Sequence, residues 1–426
     1  MSSDTIFALS SGGPPAAIAV IRISGPLAHA TARSLAGELP ATRQAAVREL
    51  RAPEGELLDR ALVLRFDGPA SATGEDSVEL HCHGGRAVVD AVLGALGRLD
   101  GVRPAAPGEF TRRAFENGRI DLTEAEGLAD LLEAETESQR RAALRMAEGG
   151  LRHTIDGWRE QLLGLAARAE AAIDYVDEDS VDSDPNLSQD CGALAKELAD
   201  WVERPTAEPL REGVRVVLAG PPNSGKSSLL NALVGQERAI VTDLPGTTRD
   251  HIDVAISLGG VPIRLTDTAG LRDTGEAVER IGVERARALL EVADILLWLG
   301  EPGEAPAHAR LIPVHSKSDL PDRHAAPAGS IAVSAISGAG LAALADAISK
   351  AALAILPAEG ELALNRRQRE CIGGALSALD EAAKSTDAEI VAEALRVARG
   401  AFDRLTGSAG VEDLLDALFG RFCLGK

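Results

Sequence analysis

The chain has few of the features that would place it outside the cell interior or in a membrane. Its four cysteines are widely scattered, and no Cys-x-x-Cys pair occurs among them, which argues for a reduced compartment rather than a disulfide framework. No uncharged apolar run approaches the ~20 residues that a membrane-spanning helix requires. The N-terminus lacks a charged start followed by a long apolar core. We therefore expect a soluble, cytoplasmic protein without a membrane partner.

Basic charge is also scarce. Lysine and arginine number 44 against 65 aspartates and glutamates, so the net charge of the 426 residues is −21. A chain this acidic is not a general polyanion binder, and any contact with nucleic acid must use a local basic patch or be shared with a partner. The arginines available for such a patch on a predicted helix are Arg140, Arg141, Arg145 and Arg152, although a charged helix surface is more often only solvated.

The most specific motif is a phosphate-binding loop at residues 220–227, which reads G-x-x-x-x-G-K-S. An apolar β-branched run, residues 214–219, precedes the loop and predicts a strand, and a helix is predicted to open at Ser228. Backbone N–H groups and the helix N-terminus then point at the phosphates. Lys226 would reach the β- and γ-phosphates and Ser227 would ligate magnesium. The pattern predicts a nucleoside triphosphate site.

Three further motifs predict that the nucleotide is GTP. Residues 267–270 follow a predicted strand and fit the D-x-x-G switch. Residues 316–319 resemble the N-K-x-D guanine reader, whose aspartate accepts two hydrogen bonds from the base; adenine would leave buried acceptors facing each other. Ser316 replaces the usual asparagine, so we expect looser binding. Ser334 and Ala335 match the short loop that backs the base.

The pattern of apolar residues divides the chain into segments. Short apolar runs with Gly/Pro turns predict strands and a few helices up to residue 118. A capping box at Thr123 and Glu126 then opens a helical region, and a long amphipathic helix runs to the acidic stretch at residues 174–190, predicted as a solvated loop. Helical periodicity returns after Pro357. The predicted domains are 1–118, 119–212, 213–356 and 357–426, with the GTPase unit inserted between helices that pack together.

One connection inside the GTPase unit is unusually short. Residues 301–310 separate the predicted strand at 295–299 from the next one. A parallel crossover normally needs a dozen or more residues and a helix. We therefore expect this edge of the sheet to lack a full crossover helix.

Several sequence blocks resemble the MnmE (TrmE) family over essentially the whole chain. The terminal tetrapeptide C-L-G-K and the N-terminal blocks separate this family from other GTPases. The blocks lie at residues 4–8, 21–25, 74–85, 107–111, 114–115, 120–122, 125–126, 241–243, 246–250 and 422–426.

The resemblance implies a multidomain α/β protein. It has an N-terminal mixed α+β folate-binding domain, an α-helical domain and an inserted Ras-like, doubly wound P-loop GTPase domain. The implied activity is a potassium-stimulated GTPase that works with the FAD-dependent partner MnmG on carbon 5 of the tRNA wobble uridine. A tetrahydrofolate derivative, in the 5-formyl or 5,10-methylene form, supplies the one-carbon unit. The implied assembly is a homodimer that joins MnmG in a heterotetramer or larger complex.

The resemblance also assigns residues to the nucleotide site. Magnesium would be held by Ser227 and Thr248, and Glu279 would orient the attacking water. A potassium ion, supplying the positive charge of an arginine finger, would be held by Asn223, Thr242, Leu244 and Thr247. The predicted GTP-binding set is Asn223, Ser224, Gly225, Lys226, Ser227, Ser228, Thr242, Asp243, Leu244, Pro245, Gly246, Thr247, Thr248, Asp267, Thr268, Ala269, Gly270, Ser316, Lys317, Asp319, Ser334 and Ala335.

For the folate site the resemblance selects Arg22, Glu79, Arg119 and Lys426. A carboxylate can pair with the amino and ring N–H groups of the pterin, and basic groups can meet its glutamate tail. Cys423 has a catalytic role if its pKa is lowered; otherwise it is a small hydrophobe at a helix end.

Alternatives remain for both the function and one motif. The GTPase could be a ribosome-assembly switch, or GTP could merely regulate a folate-dependent one-carbon transferase. The run His81-Cys82-His83 has zinc-ligand types, but alternate residues of a strand share a face and too few ligands converge for a four-coordinate site. Strand packing near the folate site is the preferred interpretation.

Overall fold

The computed structural model describes residues 4–174, 186–236, 253–268, 288–409, 412–422 and 425. They form two compact units: Met1–Ala129 with Leu151–Thr154 and Asp403–Lys426, and Asp130–Gly150 with Ile155–Phe402. The multidomain α/β class is confirmed, and the four domain boundaries stay predictions.

The described strands are β1 (Thr5–Leu9), β2 (Ile18–Ser24), β3 (Ala45–Arg51), β4 (Leu57–Phe66), β5 (Ser77–His83), β6 (Val102–Pro104), β7 (Val214–Ala219), β8 (Asp253–Leu258), β9 (Val261–Asp267), β10 (Ile295–Trp298), β11 (Leu311–His315) and β12 (Ile331–Ala332). The helices are α1 (Ala28–Ala36), α2 (Arg86–Leu96), α3 (Glu109–Glu116), α4 (Leu122–Glu133), α5 (Glu137–Ala147), α6 (Gly150–Asp174), α7 (Leu187–Val202), α8 (Glu208–Glu212), α9 (Lys226–Gln236), α10 (Leu341–Leu353), α11 (Arg366–Lys384), α12 (Ala388–Thr406) and α13 (Glu412–Phe419).

The first unit is built on a six-stranded mixed sheet in the order β3-β4-β5-β2-β1-β6. All neighbouring pairs are antiparallel except β1 and β6. Strand β5 shows how the faces are set, because successive side chains of a strand alternate. Val78, Leu80 and Cys82 are buried in the core that α1 and α2 cover. Glu79 and His81 therefore point to the opposite face, which carries the candidate folate residues.

An ion-pair network around the buried Arg113 side chain lies at one edge of this unit. The guanidinium of Arg113 bonds Asp4, Glu75 and Glu109, and Arg103 bonds both Asp4 and Glu109. Burial alone would raise the pKa of the Glu109 carboxyl, but hydrogen bonds from Arg103, Ala106 N–H and Arg113 hold it below its usual value. The network ties the chain start and the loop before β5 to helix α3.

Helix α4 begins with a different capping box from the one predicted. The Asp121 carboxylate accepts a hydrogen bond from the Glu124 N–H at 2.9 Å, and the Glu124 carboxylate accepts from the Asp121 N–H at 2.7 Å. Thr123 is fully buried inside the helix and donates to Asp121, so the prediction of Thr123 and Glu126 was wrong. The observed capping box has the same three-residue spacing but begins two residues earlier, and the Asp121 carboxylate takes the place of the predicted Thr123 hydroxyl.

The second unit contains a six-stranded sheet in the order β12-β11-β10-β7-β9-β8, parallel except for β8. Each predicted strand of this sheet is present. Helix α9 follows the phosphate loop and begins at Lys226, two residues before the predicted start. Apolar side chains of β7, β9 and β10 pack with α9 and α10 in one core. The carboxyl ends of the parallel strands thus carry the nucleotide motifs, as doubly wound sheets require.

The short connection after β10 confirms the expected missing crossover helix. Only a 3₁₀ turn, Pro302–Glu304, lies between β10 and the parallel strand β11. His308 accepts the Arg310 N–H at Nδ1 and bonds the Ala293 carbonyl through Nε2. These side-chain bonds hold the connection where a helix would otherwise pack.

The helices before and after the sheet pack together, as predicted. Helix α7 packs along α11, and the Trp158 ring of α6 contacts both Trp201 and Phe402. The acidic stretch differs from the prediction in part: residues 187–190 form the first turn of α7, where Asp190 suits the positive helix end. Residues 175–185 lie outside the described residues. In the described part of the chain no helix is long and apolar enough to cross a membrane.

Candidate functional site

The phosphate loop adopts a conformation that depends on its glycines and Asn223. Gly220 and Gly225 have φ angles of 150° and 95°. A Cβ on Gly220 would lie 3.1 Å from Leu299 backbone and side-chain atoms. Asn223 has a φ of 59°, in the left-handed region that asparagine tolerates better than most residues. Backbone geometry therefore explains Asn223 by itself, and its potassium role stays a prediction.

The side chain of Lys226 folds back over the first residues of the phosphate loop. Its Nζ donates to the carbonyl oxygens of Gly220 and Pro221 at 3.0 Å each, and its side chain is buried. The ammonium group is thus held inside the curve of the loop, where phosphates of a nucleotide would be cradled by backbone N–H groups.

Two acceptors and two hydroxyl groups meet next to the loop. The Ser227 hydroxyl donates to Asp267, at the end of β9. Thr268 donates to the Leu218 carbonyl at 2.9 Å, which fixes the start of the D-x-x-G segment against β7. A serine hydroxyl and an aspartate carboxylate in contact are the oxygen ligands that magnesium prefers. The residues present therefore fit a magnesium ion.

The guanine-reader segment is bonded to the phosphate loop. Ser316 donates to the Ser224 carbonyl at 2.6 Å, and Lys317 Nζ donates to the Asn223 carbonyl at 2.6 Å. Asp319 is exposed, so its carboxylate is accessible to a ligand. The serine that replaces asparagine thus keeps a contact with the loop.

The remaining loop of the base site is ordered by its own serine. Ser334 is fully buried, and its hydroxyl accepts from the N–H groups of Ile336 and Ser337 at 3.3 and 3.0 Å. Sequence reasoning missed Arg323, whose Nε donates to the Ser316 carbonyl at 3.2 Å. No motif identifies this arginine, because only the folded loop brings it back to Ser316.

Several predicted residues lie outside the described part of the chain, so their roles stay predictions. They belong to the loop after α9, to the switch after β9 and to the last residues of the chain. They are Thr242, Asp243, Leu244, Pro245, Gly246, Thr247, Thr248, Ala269, Gly270, Glu279, Cys423 and Lys426.

Two of the predicted folate residues are direct neighbours in the first unit. Arg22 of β2 lies opposite Glu79 of β5 in the strand register. Its Nη2 and Nε donate to Glu79 Oε1 at 2.9 and 3.1 Å, and its guanidinium lies 5.6 Å from the centroid of the Phe110 ring. His81 Nε2 lies 3.2 Å from Glu79 Oε2. Sequence reasoning missed this contact, although the i, i+2 spacing on a strand signals a shared face.

The other two folate candidates are Arg119 and Lys426. Arg119 is exposed, and its stem lies against Gly74, where an added Cβ would come 3.2 Å from Arg119 Cγ. Lys426 lies outside the described residues, but its chain neighbour Gly425 packs on the end of β1. A Cβ on Gly425 would lie 2.1 Å from the Leu9 carbonyl oxygen and 2.7 Å from Ser10 Cα. The end of the chain therefore meets the strand beside Arg22, since Leu9 and Ile21 are register partners.

The His81-Cys82-His83 run is a strand segment whose side chains have separate partners. His83 Nδ1 bonds Asp59 at 2.7 Å, whereas His81 bonds Glu79. Burial raises the pKa of the Cys82 thiol to about 12, and the Asp59 charge adds to the effect. The thiolate that a metal needs is therefore unfavourable at neutral pH. These contacts favour strand packing over the zinc interpretation.

The arginines considered for tRNA contact are mostly compensated by carboxylates. Arg140 and Arg141 both bond Glu137, and their hydrogen bonds lower the pKa of that carboxyl to about 2. Arg152 bonds Glu124 at 2.8 Å. Arg145 lies beside Gly360. Arg152 belongs to the first unit and the other three belong to the second, and their contact with tRNA stays a prediction.

Comparisons with known proteins cover the whole chain. The family model described as MnmE helical domain matches residues 122–423, and the one described as GTP-binding protein TrmE N-terminus matches residues 5–119. A relative from Erythrobacter litoralis, "tRNA modification GTPase MnmE", is 54% identical over 99% of this chain and 100% of its own length. A relative of the same name from Novosphingobium aromaticivorans is 54% identical and covers 100% of both chains. Among solved structures, the G domain of the T. maritima FeoB iron transporter has 26% identity over 33% of this chain and 98% of its own, with a TM-score of 0.24.

Proposed function

The chain belongs to the MnmE family of tRNA modification GTPases, and we propose that it is a potassium-stimulated GTPase that modifies carbon 5 of the tRNA wobble uridine. With the FAD-dependent partner MnmG it would add a carboxymethylaminomethyl or aminomethyl group there. A tetrahydrofolate derivative would supply the one-carbon unit. The transfer and the nucleotide reaction then occupy different units of one chain.

The observation that carries this proposal is the junction of the phosphate loop with the guanine reader. Ser316 and Lys317 donate to successive carbonyl groups of the loop, those of Ser224 and Asn223. The exposed Asp319 is then held near a site that is already shaped for phosphates. A carboxylate in that position suits the N–H edge of guanine and excludes adenine.

Metal ions in the nucleotide site would act on the phosphates. Ser227 and Asp267, with Thr248, would hold magnesium, which supplies positive charge to the β- and γ-phosphates when bound. Asn223, Thr242, Leu244 and Thr247 would hold potassium, and Glu279 would orient the attacking water. The described residues prepare this chemistry by placing the Ser227 hydroxyl against Asp267 and the Lys226 ammonium inside the loop.

The folate site would lie on the open face of the first sheet. Arg22 and Glu79 keep 22% and 18% of their side-chain areas exposed. A ligand can therefore reach both groups without a large conformational change. Gly425 packs on Leu9, next to the strand that carries Arg22, and the proposed roles of Lys426 and Cys423 rest on the family resemblance. Arg119 would meet the glutamate tail of the ligand.

The same face supports the proposed homodimer. Val47, Leu62 and His81 are successive register partners across β3, β4 and β5. Val47 is 64% exposed and Leu62 37%, and Ile18 on β2 is 57% exposed. Apolar side chains grouped on an open sheet face are typical of a protein–protein interface. A Val47→Asp variant is expected to shift the sedimentation of the chain toward the monomer.

A nucleoside mass-spectrometry profile of total tRNA tests the proposed function. Cells without this gene should lose the carbon-5 aminomethyl-type wobble uridines and regain them with the wild-type gene. Purified protein should hydrolyse GTP faster in potassium than in sodium at equal ionic strength. An unchanged nucleoside profile in the absence of a redundant enzyme would contradict the proposal. It would favour the ribosome-assembly switch.

A further inference from the structure

The Glu79 carboxylate is held by two different side chains, one on each oxygen. Arg22 donates twice to Oε1, at 2.9 and 3.1 Å, and His81 Nε2 lies 3.2 Å from Oε2. A carboxylate can only accept hydrogen bonds, so Nε2 of His81 carries the proton of this bond. The exposed fraction of the side chain is 22% for Arg22, 18% for Glu79 and 25% for His81.

The strand register explains why the imidazole turns to Glu79. His81 lies between Val20 of β2 and Leu62 of β4, and both of these neighbours are apolar. Glu79, two residues away on the same face of β5, supplies the acceptor that these neighbours lack. A partly buried polar group gains most from such a bond, because leaving it unmade costs the desolvation of the ring nitrogen.

We infer that His81 is a positioning residue for the proposed folate site. It orients the Glu79 carboxylate and leaves one lone pair of Oε2 directed to the ligand. Each carboxylate oxygen accepts about two hydrogen bonds. Arg22 fills the capacity of Oε1, whereas His81 fills half of the capacity of Oε2. Oε2 is thus the atom that can accept an N–H of a pterin-like ligand without breaking an existing bond.

This inference rests on the proposed folate function and makes a separate prediction from it. Without the His81 bond, the carboxylate could rotate about its side-chain torsions, and the ligand would have to order it on binding. Ordering a side chain costs affinity. Removal of the His81 donor should therefore weaken the binding of 5-formyltetrahydrofolate, because the Glu79 carboxylate is then less well ordered.

The test compares His81→Phe with His81→Gln in the full chain by isothermal titration with 5-formyltetrahydrofolate. Phenylalanine keeps a ring of similar size without a donor, and it should weaken binding about tenfold, as expected for one charge-assisted hydrogen bond. Glutamine places an amide nitrogen near the position of Nε2, so it should stay within about threefold of the wild type. His83→Phe is the matched control, because His83 lies two residues along the same strand and bonds Asp59 instead.

A double-mutant cycle separates positioning from a merely structural effect. In a Glu79→Gln background, His81→Phe should cause little further loss if His81 acts through Glu79. Equal losses in both backgrounds would overturn the inference. If His81→Phe is poorly folded by circular dichroism, His81→Ala and the His81→Gln rescue give the same comparison.

Failure of the inference and failure of the proposed function give different results. Wild-type binding of the folate, its loss in Arg22→Gln and unchanged binding in His81→Phe would overturn only the role of His81. If the wild-type chain binds no 5-formyltetrahydrofolate in the same titration, both the inference and the proposed folate function are overturned. A tenfold loss in His81→Phe with rescue by His81→Gln would support both.

Discussion

The nucleotide site and the proposed folate site are assembled in opposite ways. The nucleotide site uses loops at the carboxyl ends of parallel strands, and each loop carries a continuous motif of two to eight residues. The proposed folate site would take single side chains from β2 and β5, and Gly425 packs beside them on Leu9. A site formed by the backbone of loops can be predicted from short sequence motifs. A site formed by side chains of different strands depends on the strand register.

The two sites also differ in how they depend on charge. In the nucleotide site Lys226 donates to two neutral loop carbonyls, which hold its ammonium group where the phosphates are expected. In the folate site the charges of Arg22 and Glu79 already meet each other. A ligand there must compete with or extend an existing ion pair. We therefore expect single substitutions to have larger effects in the nucleotide site.

The largest expected effect comes from Lys226→Ala. Removing the ammonium group deletes charge that meets the β- and γ-phosphates, and single-turnover GTP hydrolysis should fall at least about 10²-fold. Affinity for 5-formyltetrahydrofolate should remain unchanged if the two sites are separate. Lys350→Ala, an exposed lysine of α10 in the same unit, is the control. If Lys226→Ala hydrolysed GTP within threefold of the wild type, the phosphate loop would not act through Lys226.

Arg22→Gln should have the next largest effect, on the other site. It removes two charge-assisted hydrogen bonds to Glu79 and leaves that carboxylate partly unpaired, which costs about 1.5–3 kcal/mol. Folate affinity should fall about 10- to 100-fold, as measured by titration calorimetry. Arg48→Gln tests the same exchange on β3, where Arg48 donates to the backbone carbonyls of Glu38 and Val47. Loss of folate affinity in Arg48→Gln as well would point to a general effect of charge.

Gly425→Ala should have an intermediate effect, confined to the chain end. Its φ of 90° is unfavourable for alanine, and the new Cβ would lie 2.1 Å from the Leu9 carbonyl oxygen. The end of the chain must move away from β1, and we expect the rate of tRNA modification to fall about tenfold, or about 1.4 kcal/mol.

The matched control for that variant is Gly55→Ala. Gly55 has a similar φ of 94°, but no atom of the described residues lies within 4 Å of the position that its Cβ would take. This variant therefore isolates backbone strain from the clash. Cleavage by carboxypeptidase reports whether the chain end has been released. Equal rates for both glycine variants would indicate that the contact with Leu9 does not position the terminus.

Ser316→Asn should have the smallest effect. Asparagine restores the residue usual in the guanine reader, but Ser316 already donates to the Ser224 carbonyl at 2.6 Å. We expect GDP and GTP to bind no more than about fivefold more tightly, since the gain is limited to one further neutral hydrogen bond. Fluorescent-nucleotide titration measures the change. A gain above a hundredfold would mean that the serine contact contributes little.

Much of the nucleotide site could be read from the sequence because its geometry is local. The loop at residues 220–227 and strands β7, β9 and β11 occur where the motifs predicted them. The helix cap at Asp121 was misplaced by two residues, because Asp121 and Thr123 are both good capping residues and their spacing to an acid is the same. Only the fold decides which of two equivalent signals is used.

The sequence by itself determined the GTPase class, the strands of the nucleotide-binding sheet and the short connection after β10. These features follow from motif spacing, apolar periodicity and chain length, which act over a few residues. Tertiary structure alone decided that Arg22 bonds Glu79, that Arg323 holds Ser316 and that Gly425 meets Leu9. Such contacts depend on strand register and on loops returning to each other, and neither is encoded by the identity of neighbouring residues.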